Sequence, residues 1–173
     1  AFNIHPAVGG LDSRTNLYYV ETTDQGQSWH SADGVLLNLP LDDADKLSTS
    51  ALIRDYQSEG LLVYMKDLVY DAFGNPVILY LTSRGSEPGP QNDPRTWRIA
   101  HWKDEQWMIK TITTSDNNYD MGSLYIESDG TWRLIAPTDS GPQPYNPGGE
   151  VVMWVSGDEG NTWTKAAALT QNS

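Results

Sequence analysis

The chain contains no cysteine. That rules out disulfides, thiol nucleophiles and thiolate metal ligands, and it leaves the redox compartment open. Basic residues are scarce: 11 Lys and Arg stand against 23 Asp and Glu, for a net charge of −12. This balance argues against non-specific nucleic-acid binding and against attachment to anionic membranes. It does not argue against an acidic ligand, because a local Arg cluster overrides the global sign. No apolar run approaches membrane-spanning length. Three scattered His without an HExxH pattern give no catalytic zinc site. The acidic run Asp42, Asp43, Asp45 offers carboxylates suited to a structural calcium, a run more often solvated. No Gly-rich phosphate loop, Ser-His-Asp pattern or long amphipathic helix is legible. Phe is nearly absent, with 2 residues against 7 Trp and 9 Tyr. Such aromatics suit strands and sugar-stacking surfaces.

What the chain does contain is a pair of Asp boxes. One is Thr22-x-Asp24-x-Gly26-x-Ser28-Trp29, and the other is Ser156-x-Asp158-x-Gly160-x-Thr162-Trp163. In each, Asp and Ser/Thr side chains bond the turn's own backbone, Gly supplies positive φ, and Trp packs beneath. Each follows an apolar strand, Leu17 to Val20 and Val151 to Trp154. Two such turns mark an all-β chain and a β-propeller. The box itself is a folding device.

The chain also repeats. Shifted by 56 residues and without a gap, Leu68–Gly74 falls on Leu124–Gly130, Gly85 falls on Gly141, and Trp107 falls on Trp163. The stretch 101–107 therefore reads as a decayed Asp box that kept its Trp. Trp29 precedes Trp107 by 78 residues, 22 more than the repeat. These periods predict four-stranded antiparallel blades. One blade spans 61–115, with strands near 66–72, 76–82, 97–102 and 107–113. The next spans 116–173, with strands at 122–128, 131–137, 149–156 and 162–169. An incomplete blade occupies 1–40, with strands at 1–4, 16–22 and 35–40. The excess residues form an inter-blade loop over 41–60. About two and a half blades leave raw edges and an uncovered inter-blade face, so the rest of a propeller is expected from the same polypeptide or another copy.

Antiparallel blades sort the loops onto two faces. The Asp boxes lie on one. Loops 5–15, 41–60, 83–96, 114–120 and 138–148 share the other, where enzymes usually build sites. That face carries His5, Arg14, Arg54, Arg84, Arg95, Asn117, Tyr119, Asp120, Gln143 and Tyr145. His101 and His30 read as structural or solvent residues.

Several of these stretches resemble one family. They are His5-Pro6-x-x-Gly9-Gly10-Leu11-Asp12-x-Arg14-Thr15-Asn16, Gly60-Leu61-Leu62-Val63-Tyr64-x-Lys66-Asp67, Asn92-Asp93-Pro94-Arg95, Asn118-Tyr119-Asp120 and Ala136-Pro137-Thr138 through Gly148-Gly149-Glu150. They are similar to BNR-repeat seven-bladed propellers that remove L-rhamnose linked α-1,4 to D-glucuronic acid on arabinogalactan and gum arabic. Members are described as rhamnose–glucuronate lyases or as α-L-rhamnosidases. The resemblance covers this chain almost end to end but only part of such an enzyme. It departs at Asn117, where a His is expected. It implies a secreted or periplasmic carbohydrate enzyme without cofactor, acting on an acidic plant-type glycan. A lyase needs a neutralised uronate carboxylate and a base, which the face supplies as Arg and as His5 or Tyr119. Arg14 is the expected carboxylate partner, with Arg54, Arg84, Arg95, Asn117, Gln143 and Tyr145 as further substrate contacts. A rhamnosidase needs two flanking carboxylates. A sialidase-like glycosidase and a non-catalytic glycan-binding propeller are the remaining readings.

Overall fold

The computed structural model of the chain describes residues 1–171. The last two residues of the blade expected over 116–173 lie outside the described residues. The described chain is all-β: three sheets in which every paired strand is antiparallel. The first sheet holds β1 (Phe2–Ile4), β2 (Thr15–Tyr18) and β3 (Leu52–Arg54), in that order. The second is the meander β4 (Leu62–Tyr70), β5 (Pro76–Ser83), β6 (Arg95–Lys103) and β7 (Gln106–Ser115). The third repeats it with β8 (Ser123–Ile126), β9 (Trp132–Asp139), β10 (Glu150–Ser156) and β11 (Thr164–Ala168). Strands β5 and β9 begin and end 56 residues apart, the period read from the sequence.

The sheets stack face to face, and the period-two alternation of their strands shows how. In β5, Ile78 and Tyr80 join Leu17, Tyr19, Val63 and Ala100 between the first and second sheets. Val77, Leu79 and Leu81 point the other way. They meet Trp97, Ile99, Leu124, Trp132 and Leu134 between the second and third sheets. All eight residues of β5 are therefore buried. Burying each such Val, Leu or Ile contributes about 1.5–3 kcal/mol.

Both Asp boxes close as their residues require. Asp24 Oδ1 accepts the Ser28 backbone N–H at 2.9 Å, and Asp24 Oδ2 accepts the Ser28 hydroxyl at 2.6 Å. Asp158 receives the same pair from Thr162 at 2.8 and 2.7 Å. The decayed box has shrunk to a two-residue hairpin. Its two residues, Asp104 and Glu105, take φ of 50° and 59° between β6 and β7. Positive φ at both positions matches the right-handed twist of the flanking strands. Trp107 still packs toward the first sheet against Tyr19, and Trp163 packs toward the second.

One element differs from expectation. The third strand of the first sheet is not 35–40 but β3, from within the stretch read as an inter-blade loop. Residues 37–51 fold back over the outer face of the first sheet instead. Leu37 and Ala51 bury against Tyr18, with Leu41, Phe2 and Leu52 packed around them. The few apolar residues of that polar stretch outweigh its loop-like composition, because Tyr18 and Phe2 leave apolar surface to cover.

Candidate functional site

Alternate connections of an antiparallel sheet emerge at the same end. The loops 5–14, 55–61, 84–94, 116–122 and 140–149 accordingly share one end of the three sheets. The Asp-box turns lie at the other. Arg14 follows the single-turn 3-10 helix Gly10–Ser13. Its backbone carbonyl accepts the Val63 N–H at 3.1 Å, which fixes the loop against β4. Its Nε donates to the Leu11 carbonyl at 3.0 Å. The guanidinium then lies 5.0 Å from the centre of the Tyr64 ring and 5.9 Å from that of Tyr119. Those two rings meet edge to face at 5.6 Å. Among the described residues no carboxylate pairs with Arg14, whereas Arg54, Arg95 and Arg133 each have one.

A second cation also stands over Tyr64. Lys66 Nζ lies 5.7 Å from the Tyr64 ring centre and 6.0 Å from that of Trp97, and it donates to the Asn118 carbonyl at 2.7 Å. Burial lowers its ammonium to about 8, and Arg14 pushes the same way against the pull of Asp120. Burial drives the Tyr64 hydroxyl up to about 12. Tyr64 is therefore a neutral platform and Lys66 a charge held under tension.

The segment 116–122 positions Tyr119. Asn117 accepts the Tyr119 N–H at 2.8 Å and donates to the Tyr145 carbonyl at 2.6 Å. Asn118 donates to the Gly85 carbonyl at 2.8 Å and to the Tyr64 hydroxyl at 3.3 Å. Asp120 accepts the Gly148 N–H at 2.8 Å and the Ser115 hydroxyl, and burial raises its carboxyl above the usual range. Three loops are thus tied together beneath an exposed tyrosine, of which 47% is open to solvent.

The expected site residues divide. Arg14 and Tyr119 come together. His5 does not join them: it lines a cavity of about 220 Å³ with Tyr18, Leu41, Asp43 and Lys46, against the covering segment. Arg95 is turned into its own loop. It is 0% exposed, and its guanidinium bonds Asp93 and the Gly89 and Glu87 carbonyls. It clamps its own loop. Asn117 is likewise buried, with both polar groups engaged in tying loops. Tyr145 packs on Arg95, 5.7 Å from its guanidinium, and its N–H goes to Asp116. Arg54 is exposed but paired with Glu59 at 2.7 Å. Gln143 is bonded to Asn146. Arg84 is exposed, and among the described residues it makes no ion pair. Asp42 bonds the Ala44 N–H and Asp43 pairs with Lys46 at 3.7 Å. Among the described residues no group of His, Asp or Glu is arranged to hold a metal.

Sequence reasoning missed Tyr64 and Lys66 because they are strand residues, not loop residues. The signal was present: a Lys-Asp pair interrupts the otherwise apolar strand Leu62–Tyr70, where a charge is costly unless it is used.

Residues 8–115 match the family described as BNR repeat-containing family member. Two solved structures share the fold. One is an ulvan lyase of a new family of polysaccharide lyase, with a TM-score of 0.67 over 91% of this chain and 34% of that one, at 17% identity. The other is such an enzyme bound to -[GlcA(1-4)Rha3S]-, with a TM-score of 0.64, the same coverage and 17% identity. The chain resembles these propeller-type polysaccharide lyases and spans about a third of their length. No curated protein matches it.

Proposed function

The chain belongs to the BNR repeat-containing family, and from that premise we propose that it forms the acidic-sugar-binding part of a carbohydrate-active lyase. The reaction proposed is β-elimination of terminal L-rhamnose from O4 of α-1,4-linked D-glucuronate, as in arabinogalactan or gum arabic. The observation that carries it is Arg14: a guanidinium without an acid partner, seated on two tyrosines, in a protein of net charge −12. In a chain so rich in acid, a cation left unpaired beside an open loop face suits a carboxylate from outside.

The chemistry assigns roles. Arg14 receives the uronate carboxylate and neutralises the charge that spreads into it when C5 loses its proton. Tyr119, exposed and in contact with Arg14, is the proton-transfer group. The C5–H electrons form the C4–C5 double bond, the C4–O4 bond breaks, and rhamnose leaves with O4 and a proton. Tyr64 is excluded as the base by burial of its raised hydroxyl. The hydrolytic alternative requires two free carboxylates across the bond. Here Asp93, Asp116 and Asp120 are engaged in binding loops, which leaves Asp12 and Glu87 as the carboxylates a hydrolytic pair would need.

Incubation with gum arabic tests the reading. Elimination releases rhamnose together with ultraviolet absorbance from the unsaturated uronate. Rhamnose without absorbance identifies a hydrolase, and binding without release identifies a glycan-binding module.

A further inference from the structure

Lys66 occupies a β-bulge. On β5, Tyr80 and Leu79 are consecutive, yet they pair with Met65 and Asp67, so Lys66 is the extra residue of β4. Strict alternation would send only one of two neighbours toward the third sheet. The bulge sends both: Lys66 reaches the Asn118 carbonyl, and Asp67 accepts the Leu124 N–H at 3.0 Å. Bulges are retained where a side chain must be re-aimed, and they concentrate next to active sites.

The acid beside Lys66 does not neutralise it. Asp67 is taken by the backbone N–H groups of Leu68 and Leu124. Asp120, the other acid nearby, holds Ser115 and Gly148. An apolar residue would fill this aromatic surround without the desolvation cost of a charge. Lys66 also borders the same ring as Arg14, where the two cations repel. An anion received by both cations offsets that repulsion and gives the buried ammonium a charged partner.

We propose that Lys66 is a second binding residue for the acidic group that Arg14 receives, so that the site recognises an anionic saccharide by two cations on one aromatic ring. This rests on the reading of Arg14 as a carboxylate clamp and adds a regulation to it. The guanidinium stays charged at every working pH. The ammonium does not, because its burial brings it to about 8. Affinity for the acidic sugar therefore falls as pH rises through that value. The charged and titratable groups facing Lys66 are Arg14 from the loop before β2, Tyr64 and Asp67 on β4, and Tyr119 and Asp120 from 116–122.

The test is calorimetric titration of the full chain with the rhamnosyl-α-1,4-glucuronate disaccharide, and with rhamnosyl-α-1,4-glucose as the neutral control, from pH 6 to pH 9.5. The unmodified protein should lose about tenfold in affinity for the acidic sugar across that range. Binding of the neutral control should not follow. Lys66→Met should bind the acidic sugar about tenfold more weakly at pH 6 and show no further loss. Lys66→Arg should keep the pH 6 affinity and lose the pH dependence. Full affinity in Lys66→Met, or an unchanged pH profile in Lys66→Arg, overturns the second-cation role. Loss of binding in Arg14→Ala together with either of those results leaves the proposed function standing alone. Failure of the unmodified protein to bind the disaccharide overturns both.

Discussion

Arg14 and Arg95 are both arginines of the loop face, yet their surroundings assign them opposite duties. Arg14 stacks on Tyr64 and Tyr119 with no acid partner, so its removal should be felt by the ligand. A desolvated guanidinium–carboxylate pair is worth about 2–5 kcal/mol on truncation. The cation–aromatic contacts that Arg14→Ala removes from the folded protein are worth about 0.5–1 kcal/mol at exposed sites. Arg14→Ala should thus weaken acidic-sugar binding far more than it lowers the urea midpoint; equal affinity would remove the clamp. Arg95 predicts the reverse. Its substitution by Ala removes the cationic partner of Asp93 and one donor each from the Gly89 and Glu87 carbonyls, a change that costs about 1–3 kcal/mol with Asp93 itself 39% exposed. Urea unfolding of Arg95→Ala checks this, and a shift under about 1 kcal/mol would contradict the loop-clamp role. The sequence showed that both residues lie on loops at one end of the sheets. It did not show which charge was already spent, because that depends on how Gly89, Glu87 and Asp93 curl around one side chain. His5 illustrates the same limit. It belongs to the right loop, but the direction of its ring depends on the segment 41–49, whose folding back was not readable from composition.

At the scale of the element, turns were more legible than strands. An Asp box encodes its own geometry locally, since Asp158 needs only Ser156, Thr162 and the intervening backbone. Those hydrogen bonds, the Thr162 hydroxyl first, hold the Asp158 carboxyl at about 2, below its ordinary 3.8. A carboxyl that resists protonation in the fold stabilises it fully above the ordinary value, and this contribution is lost as pH falls through about 2. Thermal melting between pH 5 and pH 2 should show a steeper loss in the unmodified protein than in Asp158→Asn, whose amide cannot titrate. Parallel profiles would mean that the turn's carboxylate contributes nothing. Gly160 of the same box adds a packing requirement: a Cβ there would lie 2.4 Å from Ile99 Cδ1 at a φ of 78°. Strands that rest on long-range pairing were harder to read. β3 has three residues and pairs with β2 across the whole excursion 19–51, so no local period marks it. The bulge at Lys66 is invisible for the same reason, since it exists only in register with β5.

On the scale of the molecule, the three sheets leave two end faces, and they are not alike. The first sheet's outer face is covered by Leu37, Leu41 and Ala51 from its own chain. The third sheet's outer face carries Tyr125, Ile135, Val151, Met153 and Val155 around Arg133, which the pairing of β8, β9 and β10 places on one side. Tyr125 is 49% exposed, and the inward residues Leu124, Leu134 and Val152 are buried. The repeat made this asymmetry half predictable: a blade-like sheet needs a neighbour on each face, and an apolar face of a few hundred Å² is seldom left open on a soluble monomer. The sequence did not reveal that residues 37–51 would cover one side. The consequence is directional. The third sheet's face should be covered by a further sheet of the same kind, from a longer polypeptide or a second copy, and the first sheet's face should not. Sedimentation of the 173-residue chain should therefore show association that Met153→Lys or Val155→Lys abolishes without loss of the folded circular-dichroism signal. Leu41→Lys should loosen the covering segment and leave the association unchanged. A chain that sediments as a cooperatively folding monomer, or one whose association depends on Leu41 and not on Met153, would show that the open face needs no neighbour.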